Sequence, residues 1–166
     1  MLRRWNPLND TEIKQKQIKL LQQNVRSIRQ IAGWTSERLG EKIGVTKQTI
    51  SDLENIKRPM NLTQYLAIRS ILDEEINLNS DNSVLLRQVI DILVDKGAEL
   101  EDEKYLEIKD TVETVAASAA TGKKGAPLDK IFMTLLKATP GIAGALTALG
   151  IMLSQSGTGA AGGLKK

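Results

Sequence analysis

The stretch GVTKQTISDLENIKRP, residues 44–59, decides the fold. Gly44 supplies a residue that turns the chain without a side-chain penalty, and Thr46 stands where an N-cap is needed ahead of a helix running from Lys47 to about Asn55. Within that helix the apolar positions are few. Val45, Ile50 and Leu53 sit where a helix of about three turns would tuck against a neighbour, and Pro59 closes the turn that follows. Lys47, Gln48, Ser51 and Asp52 are left on the other side, a polar face with no internal task.

Working outward, the flanking sequence reads as helix almost throughout. Asp10 or Thr11 can cap a first helix in which Leu21, Val25, Ile28 and Ala32 recur at helical spacing, until Gly33 stops it. Thr35 precedes SERLGEKI, where Leu39 and Ile43 share a face and Glu37 complements the macrodipole in the first turn. Asn61 opens a fourth helix carrying Leu62, Leu66, Arg69 and Leu72, and DEEINLNSDNS (73–83) reads as a polar linker. No β-alternation is visible. With aromatics at 3% and no shortage of Leu, Ile, Val and Ala, the expected fold class is all-α. A chain of 166 residues, 41% hydrophobic, has enough material for one ordinary core plus extensions.

The chain has no Cys and no His. A disulfide framework, zinc held by its usual ligands, and Ser-His-Asp or Cys-His catalysis therefore cannot be assembled. TGKKGAP (121–127) only superficially resembles a phosphate loop, since Ala117 and Lys124 stand where that motif wants Gly and Ser or Thr, and it reads as a linker. The expectation is a protein that is not an enzyme and uses no cofactor. The start, MLRRW, has no apolar run behind its arginines, so a cytoplasmic location is expected. Charge is segregated: residues 1–70 carry 13 Lys and Arg against 6 Asp and Glu, residues 71–120 carry 4 against 13, and residues 121–166 carry 6 against 1. The basic first block suits a polyanion, and the acidic middle would repel one.

Two helices joined by a short glycine turn, the second capped and polar on its free side, have the geometry of a helix-turn-helix. Residues from about Leu20 to Leu72, and above all VRSIRQIAGWTSERLGEKIGVTKQTISDLENIKRP (25–59), resemble the lambda-repressor-like, Cro/CI-type or xenobiotic-response-element helix-turn-helix family. The resemblance covers roughly a third of the chain and rests on Gly33, Thr35, Leu39, Ile43, Gly44, Val45, Thr46, Ile50, Leu53, Glu54 and Pro59 together. It implies double-stranded DNA as the partner and residues 46–55 as the recognition helix. Thr46 would contact a phosphate, Lys47 and Gln48 would face base edges, and Thr49, Ser51 and Asp52 would complete the surface. Arg38, Lys42, Lys57 and Arg58 would touch the backbone, and Arg29 with Glu54 matches a structural ion pair of relatives. Three positions depart from the pattern. Ser36 replaces the usual Gln at the start of helix 2 and puts one backbone contact in doubt. Ile56 stands where Gly is common, which implies a rebuilt turn, because a β-branched residue at positive φ is strained. Gly40 replaces a common Ala and is expected to weaken its helix by about 0.5 to 1 kcal/mol.

The remaining chain divides by composition. The expected organisation is a DNA-binding domain over 1–75, an acidic helical oligomerisation region over 76–122, an apolar C-terminal helix region over 123–154, and a flexible tail over 155–166. In the second region VLLRQVIDILVDKG (84–97) reads as an amphipathic helix stopped by Gly97. Tyr105, Ile108, Val112, Val115 and Ala119 then form a seam spaced by threes and fours, which either packs within the chain or pairs with a second copy as a homo-oligomer. In the third region Ile131–Leu153 is almost wholly apolar, interrupted by Lys137 and Pro140. The helix after Pro140 would be roughly 21 Å long against a ~30 Å hydrocarbon core, so burial in protein is favoured over a membrane. The functional expectation is a sequence-specific transcriptional regulator, dimeric or of higher order. The alternative is an interaction or membrane-associated module, held at the cytoplasmic face of the membrane by the apolar segment, with the head used for docking or DNA tethering.

Overall fold

The computed structural model describes residues 7–78 and 83–121; the expected apolar helix region 123–154 and tail 155–166 lie outside the described residues. Six α-helices occupy the described part: α1 Pro7–Ile31, α2 Ser36–Ile43, α3 Lys47–Glu54, α4 Leu62–Asn77, α5 Ser83–Ile90 and α6 Asp102–Ala120. No strand occurs among the described residues, and the all-α class holds. No helix among them is long and apolar enough to cross a membrane.

The helix boundaries follow from capping chemistry. The Thr35 and Thr46 side chains accept from Arg38 N and Thr49 N, opening α2 and α3. Asn61 and Gln64 open α4 with a reciprocal capping box. α1 starts at Pro7, earlier than the expected cap at Asp10 or Thr11; proline suits a first helical turn, whose N–H groups have no internal partner anyway. α4 runs on to Asn77 and buries Ile76, so the expected linker from Asp73 is helical over its first five residues.

Three turns end in the same way. Gly33 (φ 72°) and Gly44 (φ 74°) lie in the left-handed region, and the next N–H reaches back five residues, Trp34 N to Arg29 O at 3.0 Å and, after α3, Lys57 N to Asp52 O at 2.9 Å. The residue at the corresponding position of that third turn is Ile56, with φ 55°. The expected rebuilding of this turn is therefore overturned: isoleucine adopts the strained conformation, and the paired bonds Ile56 N to Leu53 O and Lys57 N to Asp52 O hold it there. The reading of Gly40 is corrected as well. A β-carbon on Gly40 would lie 2.6 Å from Val45 O and 3.3 Å from the Thr46 carbonyl carbon, so the α2–α3 turn has closed onto the bare glycine, and Val45 N donates to Gly40 O at 2.9 Å.

α1 is the spine. Ile18, Leu21, Val25, Ile28 and Ile31 are buried along it, and one core runs from these through Leu39, Ile50, Leu53, Ile68 and Leu72 to Leu86, Val89, Leu93, Val112 and Val115. The segment expected as one regular helix over 84–96 instead passes from α5 into a π-helical turn, Asp91–Asp95, and a 3₁₀ turn, Gly97–Glu99. The wider turn accompanies burial of three successive residues, Ile92, Leu93 and Val94, more than one face of a regular amphipathic helix provides. The seam of α6 is spent within the chain. Ile108, Val112 and Val115 are buried in the shared core, and the Tyr105 hydroxyl accepts from Asn24 Nδ2 of α1 at 2.8 Å.

Candidate nucleic-acid interface

The side of α3 away from solvent is fixed first. Ile50 and Leu53 are each 1% exposed, and Glu54, whose side chain is 4% exposed, takes a paired contact from Arg29 Nε and Nη2 of α1. Arg29 Nη1 also donates to Trp34 O at 2.7 Å, so one guanidinium ties the end of α1 to the end of α3. Arg26 adds an outer contact to Glu54 and donates to Asn55 Oδ1 at 3.0 Å.

A second clamp was not legible as a site residue. Gln22 is buried; its Nε2 donates to Leu53 O at 3.1 Å and Arg58 O at 2.7 Å, and its Oε1 accepts from Met60 N at 2.9 Å. One amide thus satisfies three backbone groups, one in the last turn of α3 and two in the loop after it. The available signal was a polar residue beside Leu21 and Val25 in an otherwise apolar stripe. Trp34, also buried, carries Lys42 Nζ 4.8 Å from its ring centroid, which draws that cation onto the protein.

The outer face carries the residues expected to meet DNA. Thr46, Lys47 and Gln48 are exposed at the N-terminus of α3, and Thr49, Ser51 and Asp52 are half-buried along it. The Thr46 hydroxyl caps Thr49 N at 3.1 Å and shares a hydrogen bond with the Thr49 hydroxyl. Lys47 Nζ lies 3.0 Å from Glu37 Oε1 of α2, with the two side chains 64% and 61% exposed. An ion pair so wet contributes about 0 to 1 kcal/mol and yields readily to a phosphate. Gln48 Nε2 donates to Asp52 Oδ1 at 2.8 Å, and Lys57 Nζ stands 3.7 Å from the same oxygen. Ser51 accepts from Asn55 Nδ2 through its carbonyl, at 2.8 Å, and its hydroxyl, at 3.3 Å. Ser36 begins α2 half-buried, and Arg38, exposed, pairs loosely with Glu41 at 3.8 Å. Arg58 is exposed, its carbonyl held by Gln22.

Chemically, the face offers backbone N–H groups at a helix N-terminus, hydroxyls, one amide and several cations whose present carboxylate partners are exposed or half-buried. That inventory suits a polyanion with hydrogen-bonding edges. Among the described residues no group of three or more acidic side chains is arranged to hold a metal ion. The family model described as helix-turn-helix matches residues 25–76, from the second half of α1 to the end of α4. No curated protein and no solved structure matches the chain.

Proposed function

The chain carries a lambda-repressor-like helix-turn-helix domain over residues 25–76, a DNA-binding family, and on that premise we propose that it is a sequence-specific transcriptional regulator whose helix α3 enters the major groove. The observation that carries this reading is the two-sided construction of α3. Ile50, Leu53 and Glu54 are locked onto α1, while Thr46, Lys47 and Gln48 stand exposed at its N-terminal end. In this reading Lys47 and Gln48 face base edges, Thr46 and the first N–H groups of α3 meet a phosphate, and Arg38, Lys57 and Arg58 grip the backbone on either side. The exchange replaces Glu41 and Asp52 by phosphates as partners of Arg38 and Lys57, so a single head gains little net attraction. Two heads on paired half-sites add their contacts, which is why the working form is read as a homo-oligomer acting on duplex DNA in the cytoplasm.

Selection of bound duplexes from a randomised pool by the full chain, repeated at two salt concentrations, tests the proposal. The expected result is a two-fold-related sequence motif and an affinity that falls steeply as salt rises. Recovery of an unbiased pool overturns it.

A further inference from the structure

Gln48 and Asp52 lie one helical turn apart on the exposed side of α3, and their contact has a chemical direction. A free glutamine amide turns either end outward. It then serves adenine, which offers a donor at N6 and an acceptor at N7, or presents only its donors to guanine, which offers two acceptors. An ionised carboxylate accepts and never donates, so the amide facing Asp52 must present its nitrogen, as it does at 2.8 Å from Oδ1. The amide oxygen and the second N–H of Nε2 remain for a partner outside. Lys57 Nζ, 3.7 Å from that same Asp52 oxygen, offsets the charge that would otherwise repel a phosphate.

We infer that Asp52 is a positioning residue that fixes the Gln48 amide as an acceptor beside a donor, and so makes adenine the base read by α3 at that position. Adenine N6 donates to Gln48 Oε1, and its N7 accepts from Gln48 Nε2. Guanine sets O6 against Oε1, two acceptors facing each other, and is rejected. The inference rests on the reading above that α3 enters the major groove.

The test uses the full chain and the half-site recovered by selection, in which the position whose preference disappears in Gln48→Ala identifies the base that Gln48 meets. Adenine is expected there, bound about 5- to 100-fold more tightly than guanine. Duplexes carrying purine, which lacks the amino group, or 7-deazaadenine, which lacks N7, each lose part of that advantage. Asp52→Ala should collapse the adenine-to-guanine ratio to a few-fold while leaving preferences at other positions intact. In the Gln48→Ala background the same change should have no further effect on the ratio. A residue that only stabilises α3 or alters local charge would shift every duplex by one factor. An Asp52→Ala protein that keeps the wild-type ratio, or a wild-type protein that prefers another base at that position, therefore overturns the inference while the regulator reading stands. A wild-type chain that enriches no sequence overturns both.

Discussion

Replacing Glu54 with alanine removes the carboxylate at the junction of α1 and α3 and leaves Arg29, whose side chain is only 11% exposed, with Trp34 O as its remaining hydrogen-bond partner. Stripping one member from a buried pair costs about 3 to 5 kcal/mol, because the other charge stays desolvated. The lower end applies, since Arg29 keeps one acceptor, and the outer contact from Arg26, 54% exposed, adds little. A loss of about 3 kcal/mol, with a urea m-value of about 1 to 3 kcal/mol/M, lowers the unfolding midpoint by about 1 to 3 M. Equilibrium urea denaturation of the full chain, followed by circular dichroism, measures it. The double variant Arg29→Met, Glu54→Leu removes both charges and fills the space, and should recover most of the loss. A Glu54→Ala protein destabilised by less than about 1 kcal/mol would mean that the pair behaves as a surface contact, and the argument for α3 being locked to α1 through it would be wrong.

Three other outcomes follow from features of the fold. Ile56→Gly removes the left-handed strain at an exposed position and should raise stability by about 0.5 to 1 kcal/mol by the same denaturation assay; a loss would show that the side chain is not the source of strain. Gly40→Ala gains helix propensity but forces the α2–α3 turn open, so the expected net change is destabilising by about 1 to 2 kcal/mol, with weakened duplex binding in a mobility-shift titration. Burial pushes the Tyr105 hydroxyl above the ordinary tyrosine value, despite the hydrogen bond from Asn24 that favours ionisation. The unfolded chain therefore ionises first as pH climbs, and this contribution to stability is present below the free-tyrosine value and lost through the folded one. Tyr105→Phe should reduce that alkaline loss in thermal melts run at rising pH, while costing about 1 kcal/mol at neutral pH for the bond to Asn24.

The helix-turn-helix was legible because its signals are local. Thr35, Thr46 and Asn61 open helices by capping their own first turns, and Gly33 and Gly44 end them, so no distant contact is needed to read these boundaries. The Arg29–Glu54 pair, implied by resemblance, forms as expected. What escaped depends on partners remote in sequence. Gln22 is recognisable as a clamp only once the loop at 58–60 folds over α1, and Gly40 changes from a weak point to a necessity only when Val45 O lies against it. The sequence permits the α6 seam to face either a copy or its own chain; Asn24, more than eighty positions away, meets Tyr105 and shows α6 docked on α1. The candidate site divides likewise. Exposure of Lys47 and Gln48 follows from helical periodicity, whereas their pairing with Glu37 and Asp52 needs the relative placement of α2 and α3 and a defined rotamer.

α1 also carries different loads on its two sides. Gln22, Arg26 and Arg29 reach toward α3 and the loop after it, while Leu20 meets Gly97 and Asn24 meets Tyr105. At 3.6 residues per turn these two sets lie on roughly opposite sides of the helix. The exposed cations of α3 and the loop after it, Lys47, Lys57 and Arg58, are thereby mounted across the spine from exposed acids of α6 such as Asp102, Glu103, Asp110 and Glu113. The described helices in consequence carry an electric dipole with α3 near its positive end. In the field of a polyanion such a body rotates before it touches, so productive encounters are enriched over tail-first collisions, and salt slows association by blurring the torque as well as the attraction.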